Sequence, residues 1–410
     1  MNSYDLNGRP LRVLFLGNDD NMNYQMARWS REFGVAADLW IIQPVDPYRG
    51  DIRLIDPDLT QTPSFVQNVP FDDARKIALF PGATGRRIGE NYDFVSVCGT
   101  ASLVSSLRLP VPRGLICTGA ELGDVPFPFK PDYARSQGHR RLHYNLTLAA
   151  LARAALKRLA FIVDSFEEHT LPMKRLGLLG KRKFIGFPAD SHAARGRIRP
   201  ELRKELLARY GSARRVFMWF SRLNFSDPNS LIYKGAERYL KALECVLPEI
   251  ERGEIRLVMG RHGNEVDEFV ALVDKSPLKE HIDWVPHLGT HELSTYLSLP
   301  NAVLFAECSE HLRELSGIGR DSAAMGTVTV SSAIPEIVER QYGRKAPMLR
   351  AVQTHEVAAR MRELADMSDE SFGELQRAMS EFGEQAVDYK AFIPEYYGFI
   401  QTAIAKAQYA

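Results

Sequence analysis

The chain is poor in cysteine and has no long apolar run. Cys98, Cys117, Cys245 and Cys308 are scattered and never form a Cys-x-x-Cys pair. Neither a zinc site nor a disulfide framework is suggested, and the four read as small core residues. The polar segment 1–10 leads into a short apolar stretch, 11–16, too brief and wrongly flanked for a signal peptide or a membrane span, so a cytoplasmic location is expected. Net charge is almost absent as well, at +1. His-Glu-x-x-His, Gly-x-Ser-x-Gly and the phosphate-binding loop Gly-x-x-x-x-Gly-Lys-Ser/Thr are missing, which argues against a zinc protease, an ordinary serine hydrolase and a P-loop nucleotide hydrolase. No resident metal or cofactor is expected. The stretch Gly317-Ile318-Gly319-Arg320-Asp321-Ser322 falls short of a dinucleotide fingerprint, because Ser322 stands at its last glycine position and no strand directly precedes it.

What is present is globular. The 410 residues are 45% hydrophobic and 25% charged, enough for more than one core. Short apolar runs alternate with helix-period segments, the pattern of parallel sheets with crossover helices. The spacing predicts strands over 11–17, 37–42, 94–97, 114–117, 161–164 and 183–187, with helices over 24–33 and 143–159. After an Arg-rich stretch, 193–215, a second series begins, with strands over 216–220, 255–259, 282–285, 302–305 and 327–330. Ala236, Tyr239, Leu240, Leu243, Val246 and Leu247 form one helix face between the first two. The chain then turns largely helical and ends in an apolar-periodic segment, 397–405. Two doubly wound α/β domains are implied, and ligands of such sheets bind beyond the carboxyl ends of the strands, here in a cleft between domains.

Charge is unevenly placed. Between Lys130 and Arg215 there are 20 Lys and Arg against 7 Asp and Glu. Such a segment suits an anionic membrane surface, a phosphorylated substrate or nucleic acid, or is simply a solvated face. Aromatics do not interleave with it as an RNA platform requires, so no nucleic-acid partner is expected.

Three loops carry candidate chemistry. Gly17-Asn18-Asp19-Asp20-Asn21 joins the first strand to a helix whose N–H groups can receive an anion or a hydroxyl-rich ligand, although Asn and Asp there serve equally as caps. Ser221-Arg222-Leu223 ends the first strand of the second series and Lys234-Gly235 opens the next helix, which suits two cations to a diphosphate. The glycines Gly317 and Gly319 precede a helix over 320–325 and let backbone approach a ligand.

Together these blocks resemble a glycosyltransferase of the GT-B type, most closely the large retaining family numbered four, whose members use nucleotide sugars. Arg222-Leu223 and Lys234-Gly235 stand where that family has Gly-Arg-Leu and Lys-Gly. Met259-Gly260-Arg261-His262-Gly263 is similar to its strand and glycine turn, and Trp284-Val285-Pro286-His287 to the segment whose backbone meets the nucleobase. Asp321-Ser322-Ala323-Ala324-Met325-Gly326 resembles its Glu-Ala-Met-Ala-x-Gly. In the first half, Cys117-Thr118-Gly119-Ala120-Glu121 resembles the family's His-Gly segment, and Gly186-Phe187-Pro188-Ala189-Asp190 its interdomain run. The chain departs from the pattern in three places. Arg222 and Lys234 are separated by an insertion over 224–230, the first acidic position of the paired motif is Arg313 with Glu314 beside it, and Thr118 replaces a common His.

The resemblance implies an N-terminal acceptor-side domain over 1–192, a donor-binding domain over 193–390 and a terminal helix, 391–410, returning to the first. It implies sugar transfer from a nucleotide sugar to a glycan, lipid-linked glycan or small molecule, with retention and without metal. Arg222 and Lys234 would act as catalytic residues by stabilising the leaving diphosphate. Gly260, Arg261, Val285, Pro286, Glu314, Gly317, Ile318, Gly319 and Asp321 would bind the donor. Gly17, Asn18, Asp19, Thr118 and Glu121 would serve the acceptor, and the basic segment would dock peripherally at the inner membrane face. A non-catalytic nucleotide- or sugar-binding protein of the same fold is the alternative, and an epimerase or phosphorylase a third.

Overall fold

A computed structural model describes residues 4–6, 8–43, 50–70, 82–127, 139–228 and 233–409. The chain forms two compact units, Met1–Ile185 with Ile393–Ala410, and Gly186–Phe392.

In the first unit, β1 (Asp5–Leu6) and β2 (Arg9–Pro10) pair as a small antiparallel ladder. The main sheet contains β3 (Arg12–Leu16), β4 (Ala36–Gln43), β5 (Val66–Pro70), β6 (Phe94–Cys98), β7 (Arg113–Ile116), β8 (Phe161–Asp164) and β9 (Arg182–Phe184). Their order is β5-β4-β3-β6-β7-β8-β9, with every neighbouring pair parallel. Val13, Leu14, Phe15 and Leu16 are all buried, because helices cover both faces and each side chain of β3 meets a core. On one face Phe94 stacks on Phe161 at 5.6 Å, and Phe161 meets Tyr396 and Phe399 of the terminal helix Tyr389–Gln408. Gly114 makes this possible, since a Cβ there would lie 2.7 Å from the Phe161 ring. The Tyr396 hydroxyl donates to Ser96 Oγ at 2.7 Å, which satisfies two buried polar groups at once.

The second unit holds β10 (Arg215–Trp219), β11 (Ile255–Gly260), β12 (Ile282–Val285), β13 (Ala302–Glu307), β14 (Val328–Ser331) and β15 (Leu349–Arg350). All pairs are parallel, in the order β12-β11-β10-β13-β14-β15. The alternation hidden inside its apolar strands is visible in β10. Phe217 and Trp219 enter one core with Tyr239, Leu240 and Phe305, whereas Val216 and Met218 enter another with Leu206, Tyr296 and Leu304. Fully burying each such side chain contributes about 1.5–3 kcal/mol.

Strand order reverses at β3, flanked by β4 and β6, and at β10, flanked by β11 and β13. These are the switch points where loops diverge and leave a crevice. Two edge strands, β5 and β15, lack an apolar run and escape the periodicity argument; β5 (Val-Gln-Asn-Val-Pro) is largely exposed and ends in proline. The helix expected over 320–325 starts earlier, at Gly317, because the Ser316 side chain caps it by accepting the Gly319 N–H at 3.2 Å. Among the described residues no helix is long and apolar enough to cross a membrane.

Candidate functional site

In the second unit the chain leaves β10 through Phe220 and Ser221, whose hydroxyl donates to the Ala306 carbonyl of β13. Arg222 follows and is exposed, with no side-chain hydrogen bond or ion pair among the described residues. Leu223 is locked to the neighbouring loop: its N–H donates to the His262 carbonyl at 2.8 Å and its carbonyl accepts from Glu265 at 3.1 Å. The ends of the expected insertion are held together, because the Lys234 N–H donates to the Asn224 carbonyl at 3.3 Å. Residues 229–232 of that stretch lie outside the described residues. The extra length therefore does not move Lys234 away from the end of β10.

Lys234 is half-buried, and its carbonyl accepts the Cys308 N–H at 2.8 Å. Gly235, at φ 82°, presses against Cys308; a Cβ would lie 2.1 Å from the Cys308 oxygen. Beside them sits Glu307, wholly buried at the end of β13, which accepts from Ser316 Oγ at 2.6 Å and Ser331 Oγ at 2.5 Å. Burial pushes the Glu307 carboxyl up, and the nearby Lys234 charge and the two hydroxyls pull it back. Glu307 belongs to none of the sequence motifs above, although an acid closing the apolar run 302–306 is a visible signal.

The remaining donor candidates spread along the same carboxyl edge. Gly260 ends β11, and the Arg261 N–H donates to the Val285 carbonyl at 2.7 Å. The Val285 side chain is buried and its carbonyl is engaged, so only exposed backbone from Pro286 onward faces outward. Arg261 itself is exposed, with Asp267 at 3.8 Å. His262, between Arg261 and Gly263, packs its ring 4.8 Å from His287. Burial, then His287 and Arg222, hold His262 down at about 4, so it is neutral at pH 7. Gly317, Ile318 and Gly319 form the first turn of Gly317–Met325, and Asp321 on that helix reaches solvent, although the surrounding protein still pushes its carboxyl up, with Arg320 and Arg197 pulling it back. Arg313 is exposed and Glu314 is buried. The shift by one residue thus places the acid inside the fold and the arginine on the surface.

The first unit has its own polar locus at the ends of β3, β6 and β7. Gly17, Gly99 and Gly119 follow these strands with φ of 81°, 88° and 135°. A Cβ on Gly17 would strike Ser102 Oγ at 1.8 Å. Asn18 is buried and fully used, donating to Asn21 and to the Gly50 carbonyl while accepting the Tyr24 N–H at 2.8 Å. These bonds hold the loop in shape. Glu121 is also buried, accepting from the Gly99 N–H at 2.8 Å and the Gly119 N–H at 3.0 Å. The Thr118 hydroxyl lies 3.0 Å from Glu121 and 3.1 Å from Asp19, a bridge between two carboxylates. Burial, with Asp19 adding repulsion, raises the Glu121 carboxyl. Asp19 and Thr118 are the half-buried members of the group. A cavity of about 500 Å³ opens nearby, lined by Gln43, Asp51, Arg53, Thr60 and Asn68 among others.

Deeper in this unit Asp164 is held between His169, at 2.8 Å, and Arg182, also at 2.8 Å, with Cys117 Sγ 3.9 Å from the His169 ring nitrogen. Much of the basic segment is similarly engaged. Lys181 donates to the Lys157 and Leu159 carbonyls, Arg199 pairs with Glu292, Arg209 with Asp283, and Arg215 donates to the Leu364 and Met367 carbonyls. Lys130 lies outside the described residues.

No protein-family model matches the chain, and no curated protein matches it in sequence. Solved structures do. Sucrose-phosphate synthase from Thermosynechococcus elongatus superposes with a TM-score of 0.66 at 14% identity, over 97% of this chain and 100% of that one. Anabaena HepE in complex with UDP gives 0.67 at 13% identity, over 96% and 100%.

The fold is GT-B-like.

UDP-GlcNAc 2-epimerase from Methanocaldococcus jannaschii is similar at 0.50 and 11% identity, over 87% and 93%. Identities this low speak for the fold alone, which transferases and epimerases share.

Proposed function

We propose that the protein transfers a sugar from a nucleotide sugar to a hydroxyl-bearing acceptor. The observation that carries this reading is the placement of exposed Arg222, half-buried Lys234 and the capped first turn of Gly317–Met325 on loops leaving the carboxyl ends of β10 and β13, beside the second sheet's switch point. Two cations and a helix N-terminus suit a diphosphate whose charge grows as the glycosidic bond breaks. Arg222 and Lys234 stabilise that leaving group, Asp321 serves the ribose, and the backbone at Pro286, beside Gly260 and Arg261, serves the base. No protein acid is required at the leaving oxygen, since a diphosphate departs as the anion. Asp19 and Thr118, backed by Glu121, accept and donate hydrogen bonds to an acceptor hydroxyl, the role assigned to the first unit. Retention at the anomeric carbon belongs to the same proposal. Solved relatives of this fold include HepE described with UDP-glucose and sucrose-phosphate synthase.

The test is a thermal-shift screen of purified protein against UDP, GDP, ADP, CMP and dTDP and their sugar conjugates. A ligand at 100 times its dissociation constant adds about 2.7 kcal/mol of stability. One nucleotide series is expected to stabilise the wild type and to lose most of that effect in Arg222→Ala. No shift with any nucleotide at millimolar concentration would refute the donor-site reading.

One observation favours a non-catalytic binding protein instead: the first acidic position is an exposed arginine, with Glu314 turned inward. Nucleotide binding without consumption of any donor sugar would select that reading. Change of the donor sugar without an acceptor would select an epimerase.

A further inference from the structure

Glu307 has no evident reason to be an acid. The five residues before it, 302–306, are apolar and buried, and Glu307 is itself 0% exposed. A carboxylate there is costly unless it is paired and hydrogen-bonded. The surroundings answer that cost in detail. Register between β13 and β14 is irregular between Phe305 and Glu307, so the strand kinks where the acid sits, and Glu307 falls opposite Ser331. The Ser331 hydroxyl donates to one carboxylate oxygen and the Ser316 hydroxyl to the other. Ser316 cannot turn away, because its oxygen also accepts the Gly319 N–H and so caps the helix Gly317–Met325. On the other side, the residue after Glu307 is clamped to Lys234 by the Cys308 N–H, and Gly235 lies against the Cys308 carbonyl. The end of β13 thus touches both elements, the Lys234 loop through the Cys308 backbone and the helix N-terminus through the Glu307 carboxylate, with the Lys234 charge near enough to pull the buried carboxyl down.

We propose that Glu307 is a positioning residue for the anion locus of the second unit, holding the Lys234 ammonium on one side and, through Ser316, the first turn of Gly317–Met325 on the other. The inference rests on the donor-site reading in naming the anion as a diphosphate, but the geometry concerns any compact polyanion at that point. Its sign is informative. Glu307 carries charge that repels an anion, so removing it helps binding if the residue only fills a core position. If it positions Lys234, removing it hurts, because the ammonium is no longer held where the phosphate arrives.

The experiment titrates inorganic pyrophosphate and, separately, the nucleoside diphosphates into wild type, Glu307→Gln, Lys234→Ala and the double variant by calorimetry. Glutamine keeps the size of the side chain, removes its charge and turns one of its two acceptor oxygens into an amide donor. Pyrophosphate is expected to bind roughly tenfold more weakly to Glu307→Gln, and the Lys234→Ala change to cost nothing further in that background. Ser331→Ala, which keeps the acid and removes one donor, is expected to weaken binding by about threefold, and it serves if Glu307→Gln folds poorly. Unchanged or tighter binding in Glu307→Gln, or a full Lys234 effect in the double variant, would overturn the proposal. So would a wild type that ignores pyrophosphate at millimolar concentration. Pyrophosphate binding with the expected coupling but no nucleotide binding would uphold Glu307 and refute the donor reading. Nucleotide binding that is indifferent to Glu307→Gln would do the reverse.

Discussion

Gly235→Ala tests how tightly the Lys234 loop is built. Gly235 sits at φ 82° with the Cys308 carbonyl oxygen 2.1 Å from where a Cβ would stand. The left-handed conformation alone costs a residue with a Cβ about 1–2 kcal/mol. Relieving the contact needs a further movement of roughly 1 Å, and overpacking of this kind costs about 1–3 kcal/mol. Little around it can yield: the oxygen belongs to backbone, and the Cys308 N–H is bonded to the Lys234 carbonyl. The expected loss is therefore about 2–5 kcal/mol. Gly343→Ala in the same unit is the internal control, since Gly343 has φ 68° with nothing within 4 Å of its Cβ position. It should lose only the conformational part, about 1–2 kcal/mol. For a unit of this size each kcal/mol shifts the melting temperature by roughly 2–4 °C, so calorimetric melting separates the two variants. Equal melting shifts for Gly235→Ala and Gly343→Ala would refute the argument that the Cys308 carbonyl defines this turn.

Three further outcomes follow from the structure. In Arg222→Ala the His262 imidazole should titrate above its present value of about 4, because a positive charge beside it is gone; proton NMR reads this, and an unmoved titration would mean that Arg222 does not face His262. Glu121 is raised in the folded state, so its contribution to stability is full below the unfolded carboxyl value and lost as pH rises through the folded one. Urea unfolding across pH 4–7 should therefore show a decline that is flattened in Glu121→Gln, relative to the rest of the profile. Tyr396→Phe removes the donor to buried Ser96 and should cost about 1–2 kcal/mol with no change in nucleotide binding, as read by denaturation and calorimetry.

The sheets were legible because their central strands are near-continuous apolar runs, as in 11–17 and 216–220. β5 and β15 were not, since an edge strand needs no apolar face to pair. At the candidate site, Arg222 and Lys234 stood out because a strand handing over to a helix has a local signature. Glu307 did not, for its partners Ser316 and Ser331 lie 9 and 24 positions away and only the fold brings them to it. The loop 17–21 was ambiguous in sequence between capping and binding; Asn18 turns out to be consumed by the loop, while Asp19 is left at its edge beside Thr118.

The first unit is discontinuous, and that bears on synthesis. Its sheet is complete once residue 185 has been made, yet the aromatic face at Phe94 and Phe161 stays uncovered until Tyr396 and Phe399 emerge. At about 5–20 residues per second the intervening segment takes on the order of 10–40 s to translate. The second unit, being contiguous, can finish folding in that interval, while the first presents an open apolar surface. A nascent chain stalled shortly before residue 393 would be a natural client for chaperones and a poor candidate for soluble expression.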